Sequence, residues 1–495
     1  MVNTSVAVLW QARTNPERLA IVYKDQRISF ADLADRLLKL ADFLDKQGVR
    51  DGDIVAVLML NSSSFLEIAL AVSHLGAVFL PVNYRLAPEE VAYILNHAGA
   101  KYLFVDEELK DKADPAMTIF EVNEQAQVDS RALGGALNPA LAKPARKEPN
   151  DLYRLMYTSG TTGHPKGVIH KYKNYYWKTI DHTMALGLDS NSKALVVGPM
   201  YHIGGLDLPG FSVLLHGGML CILREYDPTA VFTAIEQEQL DCAWMAPVML
   251  NGLFNLPDWQ RFDRSSLRWS VGGGERTPES RIRAFTDLFP NARYIDGYGL
   301  TESFGGDTIM EPGYELKKIG STGRAIAHVE VTIRDDKGQV VPANSEGEIC
   351  LRGPKITSGY WKDPEKTAAA FFGDWFRSGD VGYLDDDDFL YLTDRLKDMI
   401  ISGGENIASS EVERVVYQLE SISEAAIIGV ADPEWGERPE AFIVLHPGQQ
   451  LTLEQLQSHC REHLAGFKIP KGLHLLDNLP RNASGKVLKR KLRDR

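Results

Sequence analysis

A chain of 495 residues is too long for one hydrophobic core and predicts two or more domains. Hydrophobic content of 44% beside 24% charged residues is ordinary for a soluble globular enzyme. A net charge of −13 argues against a general nucleic-acid binder, and the basic tail Lys486 to Arg495 reads as a solvated last helix. The start, MVNTSVAVLWQARTNPERLA, has no basic leader before a long apolar stretch, so no signal peptide is expected. Apolar runs such as Ile54 to Leu60 are too short to span a bilayer. The four cysteines (Cys221, Cys242, Cys350, Cys460) form no Cys-x-x-Cys pair, which predicts reduced thiols in a cytoplasmic protein.

Residues 29 to 47 repeat apolar positions at helical spacing, with Ser29 or Asp32 near an N-cap and Gly48 as a stop. Then Asp53 to Met59 predicts a buried strand, Ser64 to Leu75 a helix, Ala77 to Val82 a strand, a helix from Glu89, and Lys101 to Val105 a strand. Such alternation implies a largely parallel sheet covered on both faces. Residues 108 to 150 are polar and predict a surface excursion. The alternation resumes with a helix near Asn174 to Leu186, a strand Lys193 to Val197, and a helix near Gly205 to Leu215. Strands Gly218 to Leu223, Leu240 to Met245 and Trp269 to Val271 follow. From Gly320 to Tyr391 short strands with turn signals predict an antiparallel or barrel-like subdomain. A charged run at Thr393 to Asp398 marks a boundary. Beyond it come a strand Met399–Ser402, a helix Ser410–Gln418, strands Ala425–Val430 and Glu440–Leu445, and a helix Leu453–Leu464. The expected class is α/β: a large N-terminal domain of mostly parallel sheets layered with helices plus a β-rich subdomain, and a small α+β C-terminal domain.

Between an apolar run, Leu152 to Tyr157, and Val168–Ile169–His170 lies YTSGTTGHPKGV, Tyr157 to Val168. Thr158, Ser159, Thr161 and Thr162 alternate with Gly160 and Gly163, and Lys166 follows a proline. Glycine admits backbone N–H groups close to a ligand, successive N–H groups form an anion nest, and lysine adds a mobile charge. The chemistry is that of a polyphosphate cradle on a loop between strands. No glycine-lysine-hydroxyl triplet closes it, so it is not a Walker P-loop; a Gly/Ser/Thr linker is the bland alternative. The full string resembles the signature loop of the acyl- and aryl-CoA synthetases, within the adenylate-forming family that also holds luciferases and peptide-synthetase adenylation domains.

That resemblance covers essentially the whole chain and implies two domains, 1–393 and 399–495, joined by a hinge at 394–398 on which the small domain swivels. It implies ATP, Mg²⁺ and coenzyme A as cofactors. Asp296 and the GYGLTE string, Gly297 to Glu302, resemble the motif in which threonine meets the α-phosphate and glutamate the metal. Carried over, Thr301 takes the phosphate, Glu302 with Thr162 the metal, and Tyr298 stacks on adenine. Gly272, Gly273 and Gly274 resemble the small-residue run along adenine and the acyl pocket. Asp380 in RSGD matches the aspartate that grips both ribose hydroxyls, and Arg395 the hinge-proximal arginine that also reaches ribose. Lys397 falls at the pivot, where many relatives have aspartate. Gly403 and Gly404 match glycines lining the pantetheine tunnel, and Lys486 in RNASGK matches the catalytic lysine. His202 in MYHIGG matches a histidine beside the acyl carboxylate, and Arg224 a basic residue facing the CoA phosphates. His459 and His463 share a helical face without the HExxH pattern, so no zinc site is expected.

The acyl pocket is expected from Gly204, Leu208, Trp244, Met245, Gly272 to Gly274 and Ser303 to Met310, with Phe304 and Gly305 within it. Asp207 and Asp307 are unusual there: they face away from the pocket, or they recognise a hydroxyl or amine on the substrate. The expected activity is an ATP-dependent acid–CoA ligase acting on a fatty or an aryl/arylalkenoic acid. The alternatives are a carrier-protein-loading enzyme, a luciferase-like oxidising member, and a non-catalytic scaffold. Retention of Lys166, Thr301, Glu302, Asp380, Arg395 and Lys486 speaks against the last. The expected partners are a small carboxylic acid and coenzyme A, with no nucleic acid and no membrane span; a homodimer is left open.

Overall fold

The computed structural model describes residues 2–123, 125, 128, 138–158, 165–273, 277, 279–395, 398, 400–402, 405–407, 409–432, 435–464, 466–481 and 487–493. Two sheets organise the first part of the chain. The six-stranded one runs Thr118–Val122, Tyr102–Asp106, Ile54–Leu58, Val78–Pro81, Leu152–Thr158, Lys166–Lys171. All its neighbours are parallel except the last pair, an antiparallel hairpin. The nine-stranded one runs Arg324–Ala325, Thr308–Ile309, Arg293–Tyr298, Trp269–Gly272, Cys242–Trp244, Lys193–Val196, Met219–Ile222, Leu19–Tyr23, Gln26–Ser29. It is parallel from Arg293–Tyr298 through Leu19–Tyr23 and antiparallel towards both ends.

Local chemistry explains the elements. The strand Ile54–Leu58 is IVAVL and buried at every position, as a parallel strand covered on both faces must be. Helix Phe30–Lys46 begins at a capping box in which Ser29 and Asp32 bond each other's backbone N–H. Helix Ser63–His74 is buried along its whole length and touches both Val78–Pro81 and Leu19–Tyr23, so it is the layer between the two sheets.

The β-rich part is a five-stranded antiparallel sheet of Glu330–Arg334, Gly347–Arg352, Phe371–Phe372, Trp375–Leu384 and Leu390–Arg395. Beyond it, Ile400–Ser402, Glu405–Ile407, Ile422–Asp432, Gly436–Leu445 and Gly472–Leu475 form a separate sheet. Helices Ser409–Val416 and Leu453–His463 accompany that sheet, and its apolar core, from Ile400 to Ile469, is its own. Among the described residues no helix is long and apolar enough to cross a membrane.

Three expectations change. The polar excursion contains an edge strand, Thr118–Val122, whose Phe120 and Val122 are buried. Leu19–Tyr23 and Gln26–Ser29 form an unanticipated hairpin. The helix expected near Gly205 to Leu215 is broken at Leu208, which leaves the helical region (φ −123°, ψ 103°) because Pro209 follows it.

Candidate functional site

Thr158 pairs with Lys166 across the hairpin, so the expected phosphate loop is the hairpin's tip. Ser159, Gly160, Thr161, Thr162 and Gly163 lie outside the described residues, as do Gly274, Lys397, Gly403, Gly404 and Lys486. Lys166 is placed at the tip's base with its ammonium 4.2 Å from the centre of the Tyr360 ring. The Tyr360 hydroxyl donates to Glu302 Oε1 at 2.9 Å. A phenol thus joins the cation of one motif to the anion of another. Burial, then the Glu302 charge, raises the Tyr360 hydroxyl above its ordinary pKa, so it stays a donor. Two further bonds fix this junction: Trp361 N–H donates to Gly167 O at 2.7 Å, and Thr357 N–H to Glu302 O at 2.7 Å. Sequence reasoning missed Tyr360, because the RGPKITSGYW stretch contains no donor set that points to a ligand.

The strand Arg293–Tyr298 runs next to Trp269–Gly272, with Asp296 opposite Gly272. After it the chain turns through Thr301–Ser303. A Cβ on Gly273 would lie 2.9 Å from Gly297 O, so the two glycine motifs touch backbone to backbone. Tyr298 is buried and donates to Asp380 Oδ2 at 2.9 Å. The residue expected at adenine and the one expected at ribose are therefore tied to each other. Arg395 stands opposite Asp380 in the antiparallel register, which brings the second ribose candidate to the same place in the sheet.

Behind the Thr301 turn lies a cluster of charges that are all fully buried. Arg154 Nη1 meets Asp207 Oδ2 at 2.8 Å, and Lys178 Nζ lies 3.7 Å from Asp207 Oδ1. Lys355 Nζ meets Asp307 Oδ1 at 2.6 Å. Asp207, paired with Arg154 and Lys178, and Asp307, paired with Lys355, are engaged by buried cations. This agrees with the reading that they face away from the pocket and not with substrate recognition; they face other charges, not solvent. Burial pulls Lys178 down to about 8 against the pull of Asp207, and raises Asp307 against Lys355. Phe304, expected in the pocket wall, is also buried, stacked 3.8 Å from His170 and 4.7 Å from the Arg154 guanidinium. Its backbone is left-handed, at φ 60°.

On the acyl side, His202 Nδ1 accepts from Gly204 N–H at 3.2 Å and so caps the helical turn Ile203–Leu206. The Trp244 indole lies close above two glycines: a Cβ on Gly198 would sit 2.6 Å, and one on Gly204 2.4 Å, from its ring atoms. The His202 and Trp244 rings are 6.3 Å apart. Gly305 faces Ile203, whose Cγ2 would be 3.0 Å from an added Cβ. On the far side, the Tyr294 hydroxyl fills the space a side chain on Gly272 would need. Leu208 and Met245 are buried in different apolar cores.

Arg224, expected to face the CoA phosphates, pairs with Asp106 at 3.0 Å and with Glu108. Two carboxylates neutralise it here, so phosphate contact requires it to exchange partners. Burial pushes Asp106 up to about 6 despite Arg224. His459 Nε2 meets Val415 O at 2.9 Å, and among the described residues no group of three or more His, Cys, Asp or Glu could hold a metal. A single carboxylate nevertheless suits Mg²⁺, which takes one or two carboxylates and completes its shell with phosphate oxygens and water. Glu302, half-buried and held by Tyr360 beside Lys166, fits that role.

Known proteins resemble this chain along nearly its whole length. Residues 8–361 match the AMP-binding enzyme family, and residues 411–486 match the AMP-binding enzyme C-terminal domain. Feruloyl-CoA synthase of Amycolatopsis sp is 35% identical over 485 residues, covering 98% of this chain and 97% of its own. A long-chain-fatty-acid–CoA ligase of Mycobacterium tuberculosis is 35% identical over 479 residues, covering 95% and 93%. The o-succinylbenzoate CoA synthetase of Bacillus subtilis, solved with its acyl-adenylate intermediate, superposes with a TM-score of 0.88 at 30% identity, covering 99% and 98%. The chain belongs to the family of AMP-binding enzymes. It is an AMP-forming acid–thiol ligase, which activates a carboxylic acid as an acyl-adenylate and passes the acyl group to coenzyme A.

Proposed function

We propose that the acid is an aryl or arylalkenoic one, and that Trp244 decides this. An indole lying over Gly198 and Gly204 presents a flat, half-buried face beside His202. A planar acid gains about 0.5–1.5 kcal/mol from such ring contact beyond the area it buries. The same ring obstructs a long flexible chain in that direction, and the Tyr294 hydroxyl against Gly272 limits the opposite side. The similarity to a feruloyl-CoA synthase supports the reading.

In the first half-reaction a carboxylate oxygen bonds to the α-phosphorus and the bond to pyrophosphate breaks. Nearly all the protein's work is positioning and electrostatics. Thr301 contacts the α-phosphate, Lys166 and the loop Thr158 to Gly163 hold the outer phosphates, and Lys486 balances charge developing between carboxylate and phosphorus. Asp380, held by Tyr298, and Arg395 take ribose. Glu302 with Thr162 would hold Mg²⁺, which when bound would offset negative charge on the phosphates. In the second half-reaction the CoA thiol sulfur bonds to the acyl carbon, AMP leaves, and the thiol proton is released. For that step residues 399–495 turn about Lys397 relative to 1–393, so that Gly403 and Gly404 replace Lys486 at the site. The proposed setting is the cytoplasm, where the four unpaired, buried cysteines stay reduced. The test is pyrophosphate release over a panel of cinnamic, benzoic and C8–C16 acids, with and without CoA. Preference for the C12–C16 acids overturns the aryl assignment.

A further inference from the structure

We propose that His170 is a positioning residue for the Thr301–Glu302 turn, holding the Thr301 carbonyl from behind so that the turn's other face is presented to Mg·ATP. The inference rests on the reading of Thr301 and Glu302 as phosphate and metal contacts. Arg154 Nε lies 3.1 Å from His170 Nδ1, and an arginine nitrogen can only donate. His170 Nδ1 is therefore the acceptor, and its proton sits on Nε2. That Nε2–H points at Thr301 O, 2.7 Å away. Burial, and then the Arg154 charge, holds the ring's pKa well below the ordinary histidine value, so the ring stays neutral and in one tautomer.

The same logic runs along the turn. Lys355 Nζ donates to Ser303 O at 2.9 Å and to Gly305 O at 2.7 Å, and His182 Nε2 also meets Gly305 O at 3.1 Å. Alternate carbonyls of the turn, at Thr301, Ser303 and Gly305, are thus each bound by a buried nitrogen. Phe304, between the last two, adopts a left-handed φ of 60°, and its ring stacks on His170. A bulky residue keeps that conformation only where its surroundings over-determine it. None of these nitrogens belongs to the motifs that read as nucleotide contacts. They form a rigid backing for one of those motifs.

Two replacements separate the roles of the two ring nitrogens. His170→Asn keeps an acceptor near Nδ1 for Arg154 and loses the donor to Thr301, whereas His170→Gln places an amide N–H near Nε2. His170→Asn is expected to lower kcat/KM for Mg·ATP in adenylation by about ten- to a hundredfold, the scale of a small misplacement of reacting groups. The KM for the acid should stay within about twofold, and His170→Gln should recover most of the loss. Equal activity of the two variants, whether near wild type or equally reduced, overturns the proposal and leaves His170 a packing residue. Thr301→Ala is the control: if Mg·ATP use is unchanged by it, the phosphate reading of the turn fails first. A measurement on the unmodified protein stands independently of how the variants fold. ¹⁵N-histidine NMR should find His170 neutral and protonated on Nε2 from pH 6 to 9, with that N–H signal moving when Mg·ATP binds. A charged ring at pH 6, the other tautomer, or a signal indifferent to nucleotide also overturns it.

Discussion

Tyr360 donates its hydroxyl hydrogen to Glu302 Oε1 at 2.9 Å, and its ring carries the Lys166 ammonium at 4.2 Å. One side chain thus sets the spacing between the carboxylate read as the metal contact and the lysine read as a phosphate contact. Tyr360→Phe retains the ring under Lys166 and frees Glu302. A hydrogen bond to a charged group contributes about 1.5–3 kcal/mol, so a loss of roughly tenfold or more in Mg·ATP-dependent pyrophosphate release is expected. Glu302→Ala should lose more and should not recover at saturating Mg²⁺. Wild-type activity of Glu302→Ala at high Mg²⁺ would remove this residue from the metal site.

Trp244 and the glycines beneath it should control acid choice. Trp244→Ala opens the space over Gly198 and Gly204, so KM for aryl acids should rise by about two- to tenfold while longer acids gain. Gly204→Ala places a methyl where ring atoms now lie 2.4 Å away and must tilt the indole. Its effect should fall on acid KM and not on ATP KM. Unchanged ranking of acids in both variants contradicts the assignment.

Asp207 should matter to stability and not to specificity. Asp207→Ala leaves Arg154 and Lys178 buried without their counter-charge, an arrangement that costs about 3–5 kcal/mol. Urea denaturation should show this loss, and acid preference should be unchanged in whatever fraction folds. A folded variant of normal stability and altered acid preference would instead make Asp207 a substrate contact.

Lys178 gives a pH signature of definite sign. Its folded-state value is lowered from 10.5 to about 8, so between these values the unfolded chain binds more protons than the folded one. Stability arising from this group therefore rises with pH from about 8 to 10.5, by up to about 1.4 kcal/mol per unit, and below 8 the burial cost is fully present. The difference in unfolding free energy between wild type and Lys178→Met should shift in favour of wild type across that window. A flat difference, or one shifting the other way, refutes the buried-charge account.

How much is legible in the amino-acid sequence depends on how local each feature is. The strings YTSGTTGHPKGV, GYGLTE and RSGD, proposed as phosphate, metal and ribose contacts, each keep glycines and specific side chains close together in the chain, so their resemblance to family motifs is visible as strings of residues. The alternation of apolar strands and capped helices is equally local, and Ser29 with Asp32 marks its helix start as expected. The pairing of Arg154 with Asp207, or of Lys355 with Asp307, joins residues from separate elements that share no motif. Nothing nearby in the chain distinguishes these from surface charges, which is why two readings of Asp307 stay open and Phe304 reads as a pocket residue from its neighbours alone. Tyr360 gives no signal for the same reason. Thr118–Val122 is hard to recognise because an edge strand with a glutamate in it lacks the continuous apolar run of its buried neighbours.

The two half-reactions, followed separately in single turnover, test the central claim most directly. With ATP and a preferred acid but no CoA, the wild-type protein should form one equivalent of acyl-AMP and pyrophosphate, and added CoA should convert it to thioester and AMP. Lys486→Ala should slow the first step by roughly two to four orders of magnitude, the scale of a lost electrostatic partner, and still turn supplied acyl-AMP into thioester. Gly404→Leu should make acyl-AMP and little thioester. Loss of both steps to the same degree in both variants, each shown to be folded, would contradict a ligase that presents two faces of its C-terminal part in turn.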